Sequence, residues 1–412
     1  MTLPSFFRLK GDTVVWSIFF ALCFISLVEV FSATSMLVYR SGSFWAPFIR
    51  QGAFLAIGTV ICIGTHFVQC RRLTFISALW PIIVGLLLLT ILMGDETNGA
   101  SRWLFGFQPS EFAKGILVAT IALILSRCRE GNGVSRMALR YVLAFTLPVV
   151  ALIGKENVST AVLISGVVYL MMFVAGIPRG QMIKLTLICA VLGGLGLLGA
   201  KALPTDSEAP FYQSAPGSFL KHRGPTIHNR VFGKSLVITP NPDSLVVSDK
   251  NMQVVHARIA VANNNHGLGL MPGNSVERDY LPQAYSDFIY AIIAEETGIW
   301  GASIVLLLYL VLLYRCGIIA NRCGQDFPAF FVMGLGVLLT GQALLNMIVA
   351  VGLGPVTGQT LPLISRGGTS TLITCAYIGM IQSVAWSGLP KKKDNPAAAD
   401  GQPQGEEKPS AD

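Results

Sequence analysis

Charged side chains are scarce in this chain of 412 residues. Only 13% of its residues are Asp, Glu, Lys or Arg, whereas 52% are hydrophobic and the mean hydropathy is +0.60. Because soluble proteins carry about 25% charged residues, this deficit excludes an ordinary soluble enzyme and an intrinsically disordered chain. The composition therefore points to a protein whose helices lie in a lipid bilayer.

The alternation of apolar and polar residues that would indicate a membrane β-barrel is also missing. Instead, the sequence contains apolar runs of about 20 residues, the length that a helix needs to cross the hydrocarbon core. We predict an all-α polytopic membrane protein. Its ten transmembrane helices are expected at roughly 13–34, 45–68, 74–94, 110–127, 137–154, 158–177, 181–202, 287–315, 327–352 and 367–388.

Cysteine is absent from the longest polar segment, residues 203–286, which separates spans seven and eight. This absence excludes a disulfide framework there, and the eight cysteines elsewhere lack the spacing of metal ligands. A connection of this length is usually functional or disordered, and its apolar stretches could fold back on the membrane. Its histidines lack zinc-ligand spacing, and we expect them to be surface groups: His222, His228, His256 and His266.

Positive charge collects in the loops on one side of the predicted spans. The basic residues of these loops are Arg71, Arg72, Arg127, Arg129, Arg136, Arg140, Arg179, Lys184, Arg315 and Arg322. By the positive-inside rule, both termini are cytoplasmic and residues 203–286 form an extracytoplasmic loop. The net charge of +8 then reports orientation and does not indicate nucleic acid as a partner. Residues 1–390 are predicted to form one integral membrane domain, and residues 391–412 a disordered cytoplasmic tail.

Several charged residues stand at the expected outer ends of spans, where each is a functional hypothesis. Glu111 and Lys114 lie one turn apart on the same face, so they could form a structural salt bridge or line an anion site. Ser110 is the predicted N-cap of this helix. Arg102, beside Trp103 in the preceding loop, would join Lys114 in binding a pyrophosphate, because guanidinium and ammonium groups both bind phosphate oxygens.

Asp287 stands where the long outer loop ends and the eighth span begins. It could be an N-terminal helix acid that interacts with the helix dipole, or a general base at the outer lipid–water boundary. Glu295 and Glu296 follow two turns deeper, where capping is implausible. They suggest a buried polar network.

Glycine and proline interrupt the last two spans at residues 352–358 and 361–370. At membrane depth, such a sequence predicts a broken backbone that lines a protein cavity. Ser365, Arg366, Gly367 and Gly368 could present backbone amides to an anion at a helix start. The alternative is a tight outer turn with close helix packing.

In this order along the chain, these segments resemble the SEDS family of membrane proteins (shape, elongation, division and sporulation), which includes FtsW, RodA and SpoVE. The segments are GASRW at 99–103, QPSEFAK at 108–114, HGLG at 266–269, LPQAYSDFI at 281–289, EETG at 295–298, GPVTG at 354–358 and LPLISRGGTS at 361–370. The chain departs from the family pattern at Gln283, Tyr285, Ser286 and Arg366, the last of which replaces an aromatic residue. The carboxylate at Asp287 is retained.

The resemblance implies a peptidoglycan glycosyltransferase that polymerises lipid II at the outer face of the cytoplasmic membrane. Asp287 would be the catalytic base, Arg102 and Lys114 would stabilise the pyrophosphate, and Glu111 would position Lys114. The remaining substrate-binding residues would be Trp103, Ser365, Gly367 and Gly368. No cofactor is certain, and a divalent cation, Mg²⁺ or Mn²⁺, is an option. The implied partners are lipid II, the growing lipid-linked glycan, a class B penicillin-binding protein and other divisome proteins.

Other functions fit the same sequence. A lipid II flippase would also need broken helices and intramembrane charges, and a non-catalytic scaffold or an ion-coupled symporter would be further alternatives. Within the family, the motifs and the polar tail favour a septal (FtsW-like) over an elongation (RodA-like) polymerase.

Overall fold

The computed structural model describes residues 10–33, 45–93, 95–97, 100–103, 107–131, 133–202, 252–263, 269–281 and 284–388. This part of the chain is almost entirely helical. Its helices are α1 (Thr13–Ala33), α2 (Ala46–His66), α3 (Cys70–Met93, with a 3-10 segment at Thr74–Leu79), α4 (Pro109–Arg127), α5 (Ala138–Glu156), α6 (Val158–Ala175), α7 (Arg179–Ala202), α8 (Met252–Ala262), α9 (Ile289–Arg322), α10 (Asp326–Ala350) and α11 (Thr369–Ser387). Two short antiparallel hairpins, β1 (Asp95–Thr97) with β2 (Ala100–Trp103) and β3 (Arg129–Glu130) with β4 (Gly133–Val134), join neighbouring helices.

Each of the ten predicted spans coincides with a helix. Eight helices in the described part of the chain are long and apolar enough to cross a membrane, namely α1 to α6, α9 and α10. The other two predicted spans are the 24-residue α7 and the 19-residue α11. The predicted all-α polytopic fold is confirmed. The predicted cap at Ser110 is wrong, because α4 begins one residue earlier at Pro109, whose fixed φ and missing N–H suit the first turn of a helix.

The core is built around α4 and α10, the most deeply buried of the eight apolar helices, which pack against each other. Helices α9 and α10 form an antiparallel pair, and α11 packs along α2. The approach of α2 and α11 is close, since a Cβ atom at Gly379 would lie 2.3 Å from the carbonyl oxygen of Cys62. Only glycine permits this contact. The faces that remain exposed carry large apolar side chains, as expected for surfaces that meet lipid.

Polar contacts tie together the helix ends on the side predicted to be cytoplasmic. The Arg129 guanidinium lies 2.9 Å from the Asp326 carboxylate, and Arg315 forms an ion pair with Asp12. The main-chain N–H of Cys70 donates a 3.0 Å hydrogen bond to the Ser387 hydroxyl. The candidate site residues of the sequence motifs lie at the opposite ends of the helices, near α2, α4, α9 and α11.

Helix α9 is broken at Gly298, whose φ of 75° and ψ of −174° are non-helical. The carbonyl of Glu296 accepts a 2.7 Å bond from the Met271 N–H. Below it, the Glu295 side chain accepts hydrogen bonds from the Ser275 hydroxyl and the Val276 N–H, and Glu296 is bonded to Ser32. The buried polar network predicted for Glu295 and Glu296 is confirmed, and it holds residues 269–281 against α9.

Residues 351–368, between α10 and α11, have no regular secondary structure, and their backbone is left-handed at Gly352, Gly358, Leu363 and Gly368. The predicted break in the backbone is confirmed.

The structure describes only part of the predicted long outer loop. In that part, α8 packs against α9. Residues 203–251, 264–268 and the tail at 391–412 lie outside the described residues. The expectation that His256 is a surface group is wrong. Its Nδ1 lies 2.6 Å from the Glu277 carboxylate and its ring stacks on Tyr280, because α8 places it against the 3-10 turn at Glu277–Asp279.

Candidate active site

A cavity of about 310 Å³ opens among the ends of α2, α4, α9 and α11 that lie opposite the predicted cytoplasmic side. Four charged or polar residues of its wall come from four separate segments, namely Arg50, Glu111, Ser286 and Arg366. The wall also includes Phe54, Gln108 and residues 358–360 and 367–370, so Gly367 and Gly368 lie where the sequence motifs predicted a cavity. The cavity is therefore assembled from segments that are far apart in sequence.

Asp287 lies directly beside this cavity, since its neighbour Ser286 forms part of the wall. The Asp287 carboxylate is half-buried and accepts a 3.0 Å hydrogen bond from the Ser286 hydroxyl. Its main-chain carbonyl accepts a 2.8 Å bond from the Asn346 side-chain amide. The carboxylate is thus held within hydrogen-bonding distance of a residue of the cavity wall, and a carboxylate in such a position is a candidate general base.

The irregular segment before α11 holds the chain on the N-terminal side of Asp287. The buried Ser365 hydroxyl donates a 2.6 Å bond to the Ser286 carbonyl and accepts a 2.7 Å bond from the Leu361 N–H. The Arg366 N–H donates a 3.0 Å bond to the Tyr285 carbonyl. Ser365 thus supports the residues around Asp287, and its hydroxyl is engaged in protein contacts.

Glu111 and Lys114 form the ion pair that their spacing allowed, with 2.8 Å between Nζ and Oε1. The Lys114 ammonium is fully buried and also donates a 2.7 Å bond to the Gln342 side-chain oxygen. Glu111 reaches the cavity wall, whereas Lys114 lies behind it. A buried charge is tolerated only when it is paired in this way, so Lys114 neutralises Glu111.

Arg366 lies over the ring of Tyr285, with its guanidinium carbon 5.3 Å from the ring centroid. Burial lowers the pKa of Arg366 from its ordinary value, and the positive charge of Arg50 lowers it further. Among the residues that the structure describes, neither arginine has a carboxylate partner within salt-bridge distance.

Sequence reasoning missed Arg50 and two amides of α10. Gln342 donates a 3.0 Å bond to the Thr360 carbonyl, and Asn346 donates a 2.7 Å bond to the Gln359 carbonyl. The two amides stand four residues apart on one helix face, and together they hold the irregular segment against α10. The signal that could have found them is the presence of a polar residue inside an apolar run.

Arg102 and Trp103 lie in β2, on the far side of a short gap from α4. Their side chains are outside the described residues, so their predicted part in substrate binding stays a prediction.

The optional divalent cation has little to bind to in the described part of the chain. No group of three or more His, Cys, Asp or Glu side chains there could hold a metal ion. Of the two carboxylates at the cavity, that of Glu111 is already paired with Lys114. These residues do not fit a resident metal site.

Sequence comparison places the chain in a family. Residues 12–388 match the family described as "Cell cycle protein", which comprises FtsW, RodA and SpoVE. Since the match covers nearly the whole chain, the protein belongs to this family, and the predicted SEDS resemblance is confirmed.

Individual relatives agree with this assignment. A probable peptidoglycan glycosyltransferase FtsW of Nitrosococcus halophilus is 33% identical over 349 residues, which cover 81% of each chain. The protein of the same name from Saccharophagus degradans is 33% identical and covers 87% of this chain and 88% of its own.

Solved structures show the same fold. A chain from a structure described as "Structural coordination of polymerization and crosslinking by a peptidoglycan synthase complex" superposes with a TM-score of 0.67 at 26% identity, covering 92% of this chain and 98% of the other. The rod shape determining protein RodA of Thermus thermophilus gives a TM-score of 0.62 at 25% identity and covers 93% and 99% of the two chains. Together with the apolar helices, these matches define a multi-pass membrane protein.

Proposed function

We propose that this protein is a peptidoglycan glycosyltransferase that polymerises lipid II at the outer face of the cytoplasmic membrane during septal synthesis. The observation that carries the proposal is the position of Asp287, whose carboxylate stands beside a cavity lined by two guanidiniums. Membership of the FtsW, RodA and SpoVE family and the names of its FtsW relatives support both the reaction and the division role.

In the proposed reaction, Asp287 removes the proton from a sugar hydroxyl of one substrate. The hydroxyl oxygen then forms a bond to the anomeric carbon of the lipid-linked strand. The bond from that carbon to the phosphate oxygen breaks, and its electron pair leaves with undecaprenyl pyrophosphate. The proton rests on the Asp287 carboxylate. Such general base catalysis contributes on the order of 10²–10⁴-fold to a rate.

The other predicted site residues have roles that follow from their contacts. Ser365 positions the segment that carries Asp287, and Lys114 acts through Glu111, which reaches the cavity. Gly367 and Gly368 leave room for substrate at the cavity wall. Arg102 and Trp103 would bind substrate from the hairpin that precedes α4.

The orientation follows from the positive-inside rule, which puts both termini in the cytoplasm and the cavity on the outer side. The expected partner is a class B penicillin-binding protein, which would crosslink the glycan, together with other divisome proteins. The related structure of a complex for polymerisation and crosslinking supports such a partner.

The test uses the purified full-length chain with lipid II, with and without a class B penicillin-binding protein. The expected result is glycan polymer from the wild-type chain and none from Asp287→Ala. A flippase would instead move lipid II across a proteoliposome membrane without making polymer, and that outcome would contradict the proposal. A scaffold would do neither, and Asp287→Asn would then still support growth of cells depleted of the native protein.

A further inference from the structure

The cavity holds two arginines that no described carboxylate neutralises. Arg50, near the start of α2, is exposed, and Arg366, before α11, is half-buried. They line the same cavity, and they are close enough for the charge of Arg50 to act on Arg366. Two like charges that face one cavity repel each other, and an anion between them relieves that repulsion.

The other charged groups at the cavity do not balance both arginines. Glu111 is the acid on the wall, and the buried Lys114 ammonium 2.8 Å away balances its charge. Asp287 adjoins the cavity through Ser286, and its single negative charge offsets at most one of the two guanidiniums. The two guanidiniums therefore leave the wall with positive charge that a ligand can neutralise.

The Arg366 side chain is held in place before any ligand arrives. Its guanidinium stacks on the Tyr285 ring, and its main-chain N–H is bonded to the Tyr285 carbonyl. A stacked guanidinium loses little further freedom when it binds, and its planar fork matches the oxygens of a phosphoryl group. Tyr285 is two residues from Asp287, so Arg366 is anchored to the segment that carries the proposed base.

We propose that Arg50 and Arg366 form a two-guanidinium site for the diphosphate of a polyprenyl-linked substrate. The inference rests on the proposed function, and it names the group that the cavity holds. A diphosphate suits two cations because its negative charge is spread over two adjacent phosphoryl groups. The sequence predicted that Lys114 binds the diphosphate, but its ammonium has no access to the cavity. The proposal assigns the diphosphate instead to the two arginines on the cavity wall.

The test measures binding, without any polymerisation step. The full-length protein in nanodiscs is titrated with undecaprenyl pyrophosphate and with uncharged undecaprenol. Arg50→Gln and Arg366→Gln are each expected to weaken binding of the diphosphate lipid about tenfold, as lost charge-assisted hydrogen bonds do, and to leave undecaprenol binding unchanged. The matched control is Arg71→Gln, an exposed arginine at the opposite end of the bundle.

Two more variants separate binding from a packing role of Arg366. Arg366→Lys keeps the positive charge but lacks the planar guanidinium. Its affinity for the diphosphate lipid should lie between those of wild type and Arg366→Gln. Arg366→Tyr keeps a planar ring beside Tyr285 but removes the charge, and it should bind the diphosphate lipid as weakly as Arg366→Gln does. If Arg366 only supported Tyr285, Arg366→Tyr would bind the diphosphate lipid as wild type does, and the proposal would be overturned. Equal melting temperatures of the variants show that each has folded.

The remaining outcomes are also decisive. Competition by inorganic pyrophosphate shows whether the headgroup alone is bound or the lipid tail is also needed. A wild-type protein that binds undecaprenol and undecaprenyl pyrophosphate equally well would refute the site. If diphosphate binding depended on the two arginines but the protein made no glycan, the diphosphate site would be supported and the polymerase activity refuted. If both arginine variants polymerised lipid II at the wild-type rate, the polymerase activity would be supported and the diphosphate site refuted.

Discussion

The side-chain amide of Asn346 donates a 2.8 Å hydrogen bond to the main-chain carbonyl of Asp287. The same amide group donates to the Gln359 carbonyl at 2.7 Å. One buried residue of α10 therefore ties the start of α9 to the irregular segment on the other side of the cavity. This bridge sets the position of the proposed base relative to the cavity wall.

Replacing Asn346 by Asp is expected to lower the polymerisation rate with little change of volume. The carboxylate cannot donate to either carbonyl, and each buried carbonyl left unpaired costs about 1–3 kcal/mol. Rate and melting temperature are measured together. Asn274→Asp, at an exposed asparagine bonded to Leu270, is the control. An Asn346→Asp protein that polymerises at the wild-type rate would show that the bridge does not position Asp287.

The Glu111–Lys114 pair is expected to behave as one unit. Lys114→Met leaves the Glu111 carboxylate without its cation, and breaking a buried pair in this way costs about 3–5 kcal/mol. The double variant Glu111→Gln with Lys114→Met should be less destabilised than the sum of the two single variants. Thermal unfolding of all four proteins gives the coupling energy. Strict additivity would mean that the two charges do not interact.

Gly298 is expected to tolerate no side chain. Its φ of 75° with ψ of −174° lies in a region that only glycine populates readily, and a side chain there costs about 1–3 kcal/mol. Gly298→Ala should lower the melting temperature and loosen residues 269–281, which are bonded to the helix next to the break. The control is Gly317→Ala, a helical position in α9 with open space around the added Cβ.

That control should be neutral or stabilising, because alanine favours a helix by up to about 1 kcal/mol over glycine. Equal melting temperatures for Gly298→Ala and wild type would contradict the broken helix. Hydrogen exchange of residues 269–281 gives an independent measure of the loosening.

Most of the fold follows from hydrophobic run length, because the bilayer demands long apolar helices whatever their partners. The break between α10 and α11 could also be predicted, since clustered glycine and proline cannot continue a helix. The break at Gly298 could not, because one glycine in an apolar run does not reveal its φ. It depends on residues 269–271, which pair with the freed carbonyls.

The candidate site was predictable only in part. Asp287, Glu111 and Lys114 stood out as charges near apolar runs, and their spacing correctly paired the last two. Which cation faces the cavity depends on how α2, α4 and α11 pack, and sequence spacing carries no information about that. The sequence therefore predicts Lys114 as a substrate-binding residue, although its ammonium is buried behind Glu111, and it does not identify Arg50 as a residue of the cavity wall.

The measurement that tests the central claim most directly is lipid II polymerisation by Asp287→Asn. The amide keeps the size of the side chain and an oxygen that can accept the bond from Ser286, but it cannot accept the proton of an attacking hydroxyl. The predicted result is a loss of rate on the order of 10²-fold or more, with undecaprenyl pyrophosphate bound as tightly as by wild type. Asp279→Asn, at a more exposed carboxylate of the same outer segment, should retain activity. An Asp287→Asn protein that makes glycan at the wild-type rate would contradict the role of Asp287 as the base.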